Sequence, residues 1–71
     1  MTHEELTILN YLKDGTETYF ARKEIARRAV KRVVYEENPH WADAPLASLL
    51  GQGLLEISDS GSYRIKKGAR I

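Results

Sequence analysis

The sequence predicts a small α+β domain in which three helices and a short strand precede a C-terminal β-hairpin. Its 71 residues suffice for one domain, and no linker or internal repeat divides residues 1–71. Apolar residues recur at helical spacing through most of the chain, whereas apolar and polar residues alternate strictly near its end. We therefore expect helices first and an antiparallel pair of strands last.

The first helix is predicted to begin after Thr2. Thr2 and Glu5 have the spacing of a capping box, in which the threonine hydroxyl accepts from the Glu5 amide and the Glu5 carboxylate reaches back. The apolar side of this helix includes Leu6, Leu9 and Leu12. Gly15 is expected to end it in a left-handed conformation. The strand-forming residues of "TETYF" then predict a short strand.

The segment "ARKEIARRAVKRVV", which starts at Ala21, is predicted to form one amphipathic helix. Its apolar face consists of Ile25, Ala26, Ala29, Val30, Val33 and Val34. Its opposite face carries the cations Arg27, Arg28, Lys31 and Arg32. The whole chain has a formal charge of only +1, so this concentration of positive charge is local. Two interpretations stay open: a solvated helix face, or a surface that faces the phosphates of a nucleic acid.

The third helix must lie within "HWADAPLASLLGQG". Pro45 has no amide hydrogen to donate to the carbonyl of Trp41, and its ring disfavours a helical residue before it. We expect the helix to start around Asp43, with Asp43 as N-cap and Pro45 in the first turn. The alternative is a longer helix that starts at Pro39 and kinks. The inward side is expected to hold Leu46, Leu49 and Leu50. Gly53 is a suitable C-terminal stop.

The C-terminal segment "GLLEISDSGSYRIKK" predicts a hairpin with a defined register. The turn "DSG" suits a three-residue loop in which Gly61 is left-handed. Counting outward from that turn predicts the pairs Ile57 with Tyr63, Glu56 with Arg64, and Leu55 with Ile65. Glu56 and Arg64 then form a favourable cross-strand pair. Leu55 and Ile57 are both expected to point into the core.

This order of elements resembles the winged-helix branch of the helix-turn-helix proteins. The resemblance covers about Thr2 to Lys67. It rests on the element order and on "LASLLGQGLLEISDSGSYRIKK", which is similar to a third helix that runs into the hairpin wing of that family. The pattern Leu-x-x-Gly-Leu-Leu-Glu begins at Leu50, and Gly-Ser-Tyr-Arg-Ile begins at Gly61. The resemblance implies binding of double-stranded DNA, usually in transcriptional control.

The resemblance also implies which residues touch DNA. In that family the third helix enters the major groove, the wing touches the backbone or minor groove, and the second helix lies near phosphates. The expected phosphate contacts on the second helix are Arg27, Arg28, Lys31 and Arg32. The wing is expected to add Arg64 and Lys66, and Lys67 follows the wing. On the third helix, Gln52 can make a bidentate contact with adenine and Ser48 can contact base or phosphate. The outward side of that helix has no Lys or Arg, so limited base readout is expected.

A second function class uses the same third helix. Small residues stand at i, i+3, i+4 and i+7, namely Ala44, Ala47, Ser48 and Gly51. Such a stripe lets another helix approach closely, as a homodimer or a protein partner would require. His40 and Trp41 would extend that surface. The alternative for Trp41 is a partly buried residue that seals the loop between helices. A protein-interaction or dimerisation module is therefore the alternative to DNA binding.

Other classes are disfavoured by what the sequence lacks. There is no cysteine, which excludes disulfides and thiolate metal sites and suits a reducing cytoplasm. The segment "MTHEEL" is acidic, and no apolar run approaches the roughly 20 residues of a membrane span. His3 and His40 are the only histidines and stand far apart in the sequence, so we expect surface histidines rather than metal ligands. We expect a cytoplasmic protein that is not an enzyme and uses no metal or cofactor.

Overall fold

A computed structural model describes residues 2–15 and 18–68, and the elements within them confirm the α+β class. The helices are α1 (His3–Leu12), α2 (Arg22–Arg28), α3 (Arg32–Glu37) and α4 (Asp43–Gly51), and a 3₁₀ turn (Lys13–Gly15) follows α1. The strands are β1 (Phe20–Ala21), β2 (Leu55–Ile57) and β3 (Ser62–Ile65). The described part of the chain thus has four α-helices where the sequence predicted three. Residues 16 and 17 of the predicted strand segment lie outside the described residues.

The start of α1 is the predicted capping box. Thr2 Oγ1 accepts from the Glu5 amide at 3.2 Å, and Glu5 Oε1 accepts from the Thr2 amide at 2.8 Å. The predicted left-handed role of Gly15 is wrong, because its φ is not positive. A Cβ at Gly15 would lie 3.2 Å from Cζ of Phe20. Glycine is favoured there because it leaves room for the Phe20 ring.

The predicted single basic helix is wrong, because it is divided into α2 and α3. Lys31 has an extended backbone (φ −65°, ψ 152°) and precedes the first residue of α3. In a continuous helix the Ala26 carbonyl would accept from the amide of Val30. Instead it accepts from Trp41 Nε1 at 2.9 Å. The β-branched residues at 30, 33 and 34 favour helix less than alanine does, so the tertiary contact prevails over the local preference.

The break changes the burial of the predicted apolar face. Val33 is 58% exposed and Val34 is 40% exposed, and α3 has no buried residue. Tyr35 is the residue of α3 that packs, partly buried, against the core. The apolar face predicted for one long helix therefore reaches the core through α2, where Ile25 and Ala26 are buried.

Helix α4 has the predicted late start. It begins at Asp43, and the amide of Leu46 donates to the Ala42 carbonyl at 2.9 Å. The N-cap is Ala42 rather than Asp43, so Asp43 lies in the first turn, where the helix dipole favours a carboxylate. Pro45 also lies in that first turn, where a missing amide hydrogen costs little. Gly53, with φ +77°, follows the helix end as predicted.

The three strands form an antiparallel sheet in the order β1-β3-β2. The predicted hairpin register is confirmed, with the pairs Leu55 with Ile65, Glu56 with Arg64, and Ile57 with Tyr63. Gly61 has φ +84° in the turn, as predicted. The burial predicted for Ile57 is wrong: Leu55 is 2% exposed, whereas Ile57 is 46% exposed. The hairpin extends past the edge of the core, so its tip faces solvent.

One cluster of buried side chains joins the helices to the base of the hairpin. Its largest fully buried members are Ile8, Leu9, Leu12, Ile25, Leu46, Leu49 and Leu55. Most of these lie on α1 and α4, so these two helices supply most of the core. Helices α2 and α3 lie to one side and leave most of their side chains on the surface. Among the described residues, no helix combines the length and apolar character that crossing a membrane requires.

Candidate nucleic-acid interface

The outer side of α2 carries cations that no carboxylate of the described residues neutralises. Lys23 and Arg27 stand one helical turn apart, which places them about 6 Å from each other along the helix axis. Both are exposed, and in the described part of the chain neither has a carboxylate within 4.0 Å. The same holds for Lys31, directly before α3. These three charges are therefore available to an external anion.

A cleft lined by three arginines lies where α2 meets α3. Arg27, Arg28 and Arg32 line a space of about 470 Å³, and Tyr35 and Glu36 complete its walls. The cleft exists because the helix breaks after Arg28 and the chain turns before Arg32. A continuous helix would have spread these side chains along one straight face. Sequence reasoning found these arginines but not the concave shape that brings them together.

Two of the arginines in the cleft have partners one turn away. Arg32 Nε donates to Glu36 Oε1 at 2.6 Å, and Arg28 Nε lies 3.5 Å from Oε1 of Glu24. A guanidinium has five N–H donors, so each of these contacts leaves most of the donors unused. Such exposed i, i+4 pairs are worth only a few tenths of a kcal/mol. A phosphate can therefore compete with the carboxylate for the same guanidinium.

A second groove lies at the other end of α2, against the hairpin turn. The groove has a volume of about 420 Å³, and its lining includes Arg22, Lys23, Ser60 and Ser62. Arg22 Nη1 is 3.6 Å from Oδ1 of Asp43, whereas Lys23 has no such partner in the described chain. The sequence prediction missed Arg22 and Lys23, although the i, i+4 spacing of Lys23 and Arg27 was a usable signal. Cationic lining is therefore found at both ends of α2.

The cations of the hairpin differ in how far they are neutralised. Arg64 Nε donates to Glu56 Oε1 at 2.6 Å, and the guanidinium carbon lies 4.4 Å from the ring centroid of Tyr19. Lys66 and Lys67, which follow β3, are exposed and have no carboxylate partner within the described residues. Of the three predicted hairpin contacts, the two lysines are thus free to attract phosphates, whereas Arg64 is held against the sheet.

The two predicted base-reading residues of α4 are both hydrogen-bonded to a buried carboxylate. Glu5 is 4% exposed, and its Oε2 accepts from Ser48 Oγ at 2.8 Å and from Gln52 Nε2 at 2.8 Å. Gln52 Nε2 also donates to Ser48 Oγ at 3.1 Å. Both amide hydrogens of Gln52 are therefore used inside the domain. A bidentate contact with adenine needs one of them.

Hydrogen bonds keep the Glu5 carboxylate ionised. The Thr2 backbone amide is the largest of the causes that lower its pKa to about 2, and the Ser48 hydroxyl follows; burial acts in the opposite direction. All the donors are neutral groups, so they satisfy the oxygens without cancelling the charge. The capping box was visible in the sequence. The contacts with α4 were not, because Ser48 and Gln52 are distant from Glu5 along the chain.

The outward side of α4 is small and carries no positive charge. Ala44, Ala47 and Gly51 are exposed, and a Cβ added at Gly51 would meet nothing within 4 Å. Asp43, at the start of the helix, pairs with Arg22 at 3.6 Å and lies 3.5 Å from His40 Nδ1. The predicted stripe of small residues is thus accessible. The residues of this side include no Lys or Arg.

No metal centre among the described residues and no known relative indicates a functional site elsewhere on the domain. Within the described ranges, no three His, Asp or Glu side chains are grouped closely enough to hold a metal ion. Comparison of the chain with protein-family models, with characterised proteins and with solved structures finds no match in any of the three. The interpretation of the site therefore depends on its own geometry and charge.

Proposed function

We propose that this chain binds nucleic acid, in the first instance double-stranded DNA, mainly through the phosphate backbone. The observation that carries the proposal is the set of cations along the outer side of α2, between the arginine cleft and the hairpin groove. Neutralising phosphates with such groups releases counterions, which supplies affinity for any sequence. The resemblance of the element order to winged-helix proteins supports the same conclusion and suggests a role in transcriptional control.

The residues contribute to this function in different ways. Lys23, Arg27 and Lys31 supply charge that has no partner among the described residues. Arg28 and Arg32 supply the N–H groups that their carboxylate partners leave free. Lys66 and Lys67 extend the attraction beyond the hairpin. Backbone contacts of this kind position a protein on DNA but carry no sequence information.

Base readout by α4 stays a prediction, and its contribution is proposed to be small. Gln52 must give up a hydrogen bond to Glu5 or Ser48 before it can contact adenine in a bidentate way. The Glu5 carboxylate that it leaves would be buried with fewer donors. Weak discrimination among sequences is therefore expected, with Ser48 and Gln52 serving chiefly to fasten α4 to α1.

The salt dependence of DNA affinity tests the proposal. Arg27→Ala should reduce the slope of log affinity against log salt by roughly 0.9, the value for one lost phosphate contact on B-DNA. Lys13→Ala is the matched control, because it removes one exposed positive charge from the turn after α1. Fluorescence anisotropy with a random duplex at four salt concentrations gives both slopes. Equal slopes for the two variants would show that α2 is only a solvated face.

A protein-interaction role for α4 is the second candidate function. The accessible stripe of Ala44, Ala47, Ser48 and Gly51 favours it, because small residues let another helix approach closely. If two copies associate through this stripe, Gly51→Glu should convert a dimer into a folded monomer. Sedimentation equilibrium measures this directly. A monomer at every accessible concentration of the unmodified chain would exclude the homodimer.

A further inference from the structure

A groove lies between the start of α1 and the first turn of α4, away from the cations of α2. Its volume is about 470 Å³, and its lining includes Trp41, Ala44 and Pro45. The indole Nε1 of Trp41 donates to the Ala26 carbonyl at 2.9 Å, so its polar group is already engaged. The ring thus offers a ligand apolar and aromatic surface. An apolar side chain or a cation can both pack against such a ring.

Among the described residues that line this groove, the charged ones are all acidic. Its lining includes Glu4 and Glu5 and no Lys or Arg. Glu4 is exposed and has no cationic partner within the described chain. Glu5 is ionised. Among the described residues, the Thr2 amide is the only hydrogen-bond donor to its Oε1, because Ser48 and Gln52 donate to Oε2. A phosphate would be repelled here, whereas a cation would gain favourable electrostatic interactions.

We propose that this groove binds a segment of a partner protein that presents a lysine or arginine beside an apolar side chain. The apolar side chain packs against Trp41 and Pro45. The cation lies near the carboxylates of Glu4 and Glu5. Charge complementarity selects this occupant over an acidic peptide or a nucleic acid. The proposal does not depend on nucleic-acid binding by α2, because none of the cations of α2 lines the groove.

Trp41 is the only tryptophan of the chain, so it reports directly on the groove. The probes are three blocked tripeptides, acetyl-Leu-X-Leu-amide, in which X is arginine, the neutral isostere citrulline, or glutamate. The arginine peptide should change the Trp41 fluorescence and its indole N–H resonance saturably. It should bind about fivefold more tightly than the citrulline peptide, the factor that an exposed ion pair supplies. The glutamate peptide should bind most weakly, and added salt should reduce the differences.

Three variants separate the groove from the rest of the surface. Ala44→Arg fills the groove with bulk and positive charge and should abolish binding. Asn10→Arg is the matched control, because Asn10 is exposed on α1, the other helix beside the groove, but does not line the groove. Glu4→Gln should remove most of the preference for arginine over citrulline. Circular dichroism and cooperative unfolding identify the variants that fold, and only these are compared.

Each remaining outcome would overturn the proposal. Equal affinity for the three peptides, or unchanged Trp41 signals at millimolar peptide, would show that no cation site exists. Equal losses in Ala44→Arg and Asn10→Arg would place the peptide elsewhere. Self-association that Ala44→Arg abolishes but Gly51→Glu leaves intact would assign the groove to a second copy of the chain. Displacement of the arginine peptide by duplex DNA would assign it to DNA, a result distinct from salt-dependent binding on α2.

Discussion

The outer side of α2 and the groove between α1 and α4 carry opposite charges in a chain whose net charge is only +1. On α2, charge persists because Lys23 and Arg27 lack carboxylate partners among the described residues. At the groove, charge persists because Glu5 is satisfied by neutral donors. The comparison shows that hydrogen bonding and charge neutralisation are separate matters. A nearly neutral composition can therefore hide two surfaces of opposite preference.

The two surfaces also differ in how deeply the helices that form them are anchored in the core. The groove is formed by the first turns of α1 and α4, the helices that supply most of the fully buried side chains. The arginine cleft depends on α3, which has no buried residue and contacts the core through Tyr35. Short helices with little burial open readily in local fluctuations. We therefore expect a preformed groove and an adaptable cleft.

The largest expected effect is on the free energy of unfolding, and it tests whether α4 belongs to the core while α3 does not. Leu49 lies on the buried side of α4. Leu49→Ala should reduce the free energy of unfolding by about 2–5 kcal/mol, the range for a large-to-small change in a core. Val33→Ala, on α3, should change it by less than about 0.5 kcal/mol, because Val33 is 58% exposed. Urea denaturation measures both. Similar losses would contradict the claim that α3 lies outside the cooperative core.

Acid should remove the stability that the hydrogen bonds of Glu5 contribute. The pKa of Glu5 is lowered from 4.5 to about 2 by its hydrogen bonds, so the bonds contribute stability above pH 4.5. That contribution is lost as the pH falls from 4.5 towards 2. Urea unfolding between pH 2 and 6 should show this loss for the unmodified chain and a smaller one for Glu5→Gln. The same pH dependence in both proteins would show that Glu5 is not the group responsible.

Hydrogen exchange sharpens the contrast without any substitution. Amides of α3 (Arg32–Glu37) should exchange faster than amides in the second half of α1 or in α4, because opening α3 exposes little apolar surface. Saturating duplex DNA should slow exchange in α3 if the cleft becomes ordered around phosphates. Protection of α3 equal to that of α4 in the free protein would contradict an adaptable cleft.

The smallest effect concerns sequence preference. Gln52→Ala should leave the salt slope of DNA binding unchanged, since Gln52 carries no charge. It should alter the preference among duplex sequences by less than about 1 kcal/mol, the lower end for one good bidentate contact. Competition assays with duplexes that differ at single adenines measure the preference. A loss of 1–3 kcal/mol would show that Gln52 leaves Glu5 to read a base.

Local patterns in the sequence predicted the features that local interactions determine. The capping box at Thr2 and Glu5, the late start of α4 at Asp43 and the left-handed Gly61 each follow from residues a few positions apart. The hairpin register followed because alternation and the turn agreed. The arginines of the cleft were identifiable as a group for the same reason, since they stand close together in the chain.

Features made by distant residues were not predictable in this way. The break between α2 and α3 accompanies a hydrogen bond from Trp41 to Ala26, fifteen residues away. Glu5 accepts hydrogen bonds from Ser48 and Gln52, which are 43 and 47 residues away in the sequence. The spacing of apolar and polar residues does not predict such distant contacts. The exposure of Ile57 escaped prediction because alternation identifies the face of a strand but not where the core beneath it ends.

The segment at residues 30–40 has a consequence for how the chain tolerates changes in length. This segment includes α3 and joins α2 to α4. None of its residues is fully buried, and Tyr35 alone among them packs, partly buried, against the core. Lengthening an exposed connection on either side of α3 is inexpensive, because each doubling of a loop's length adds only about 0.6 kcal/mol of closure entropy. Homologues should therefore vary most in length here, and a peptide tag inserted after Asn38 should leave the core formed by α1, α4 and the hairpin intact.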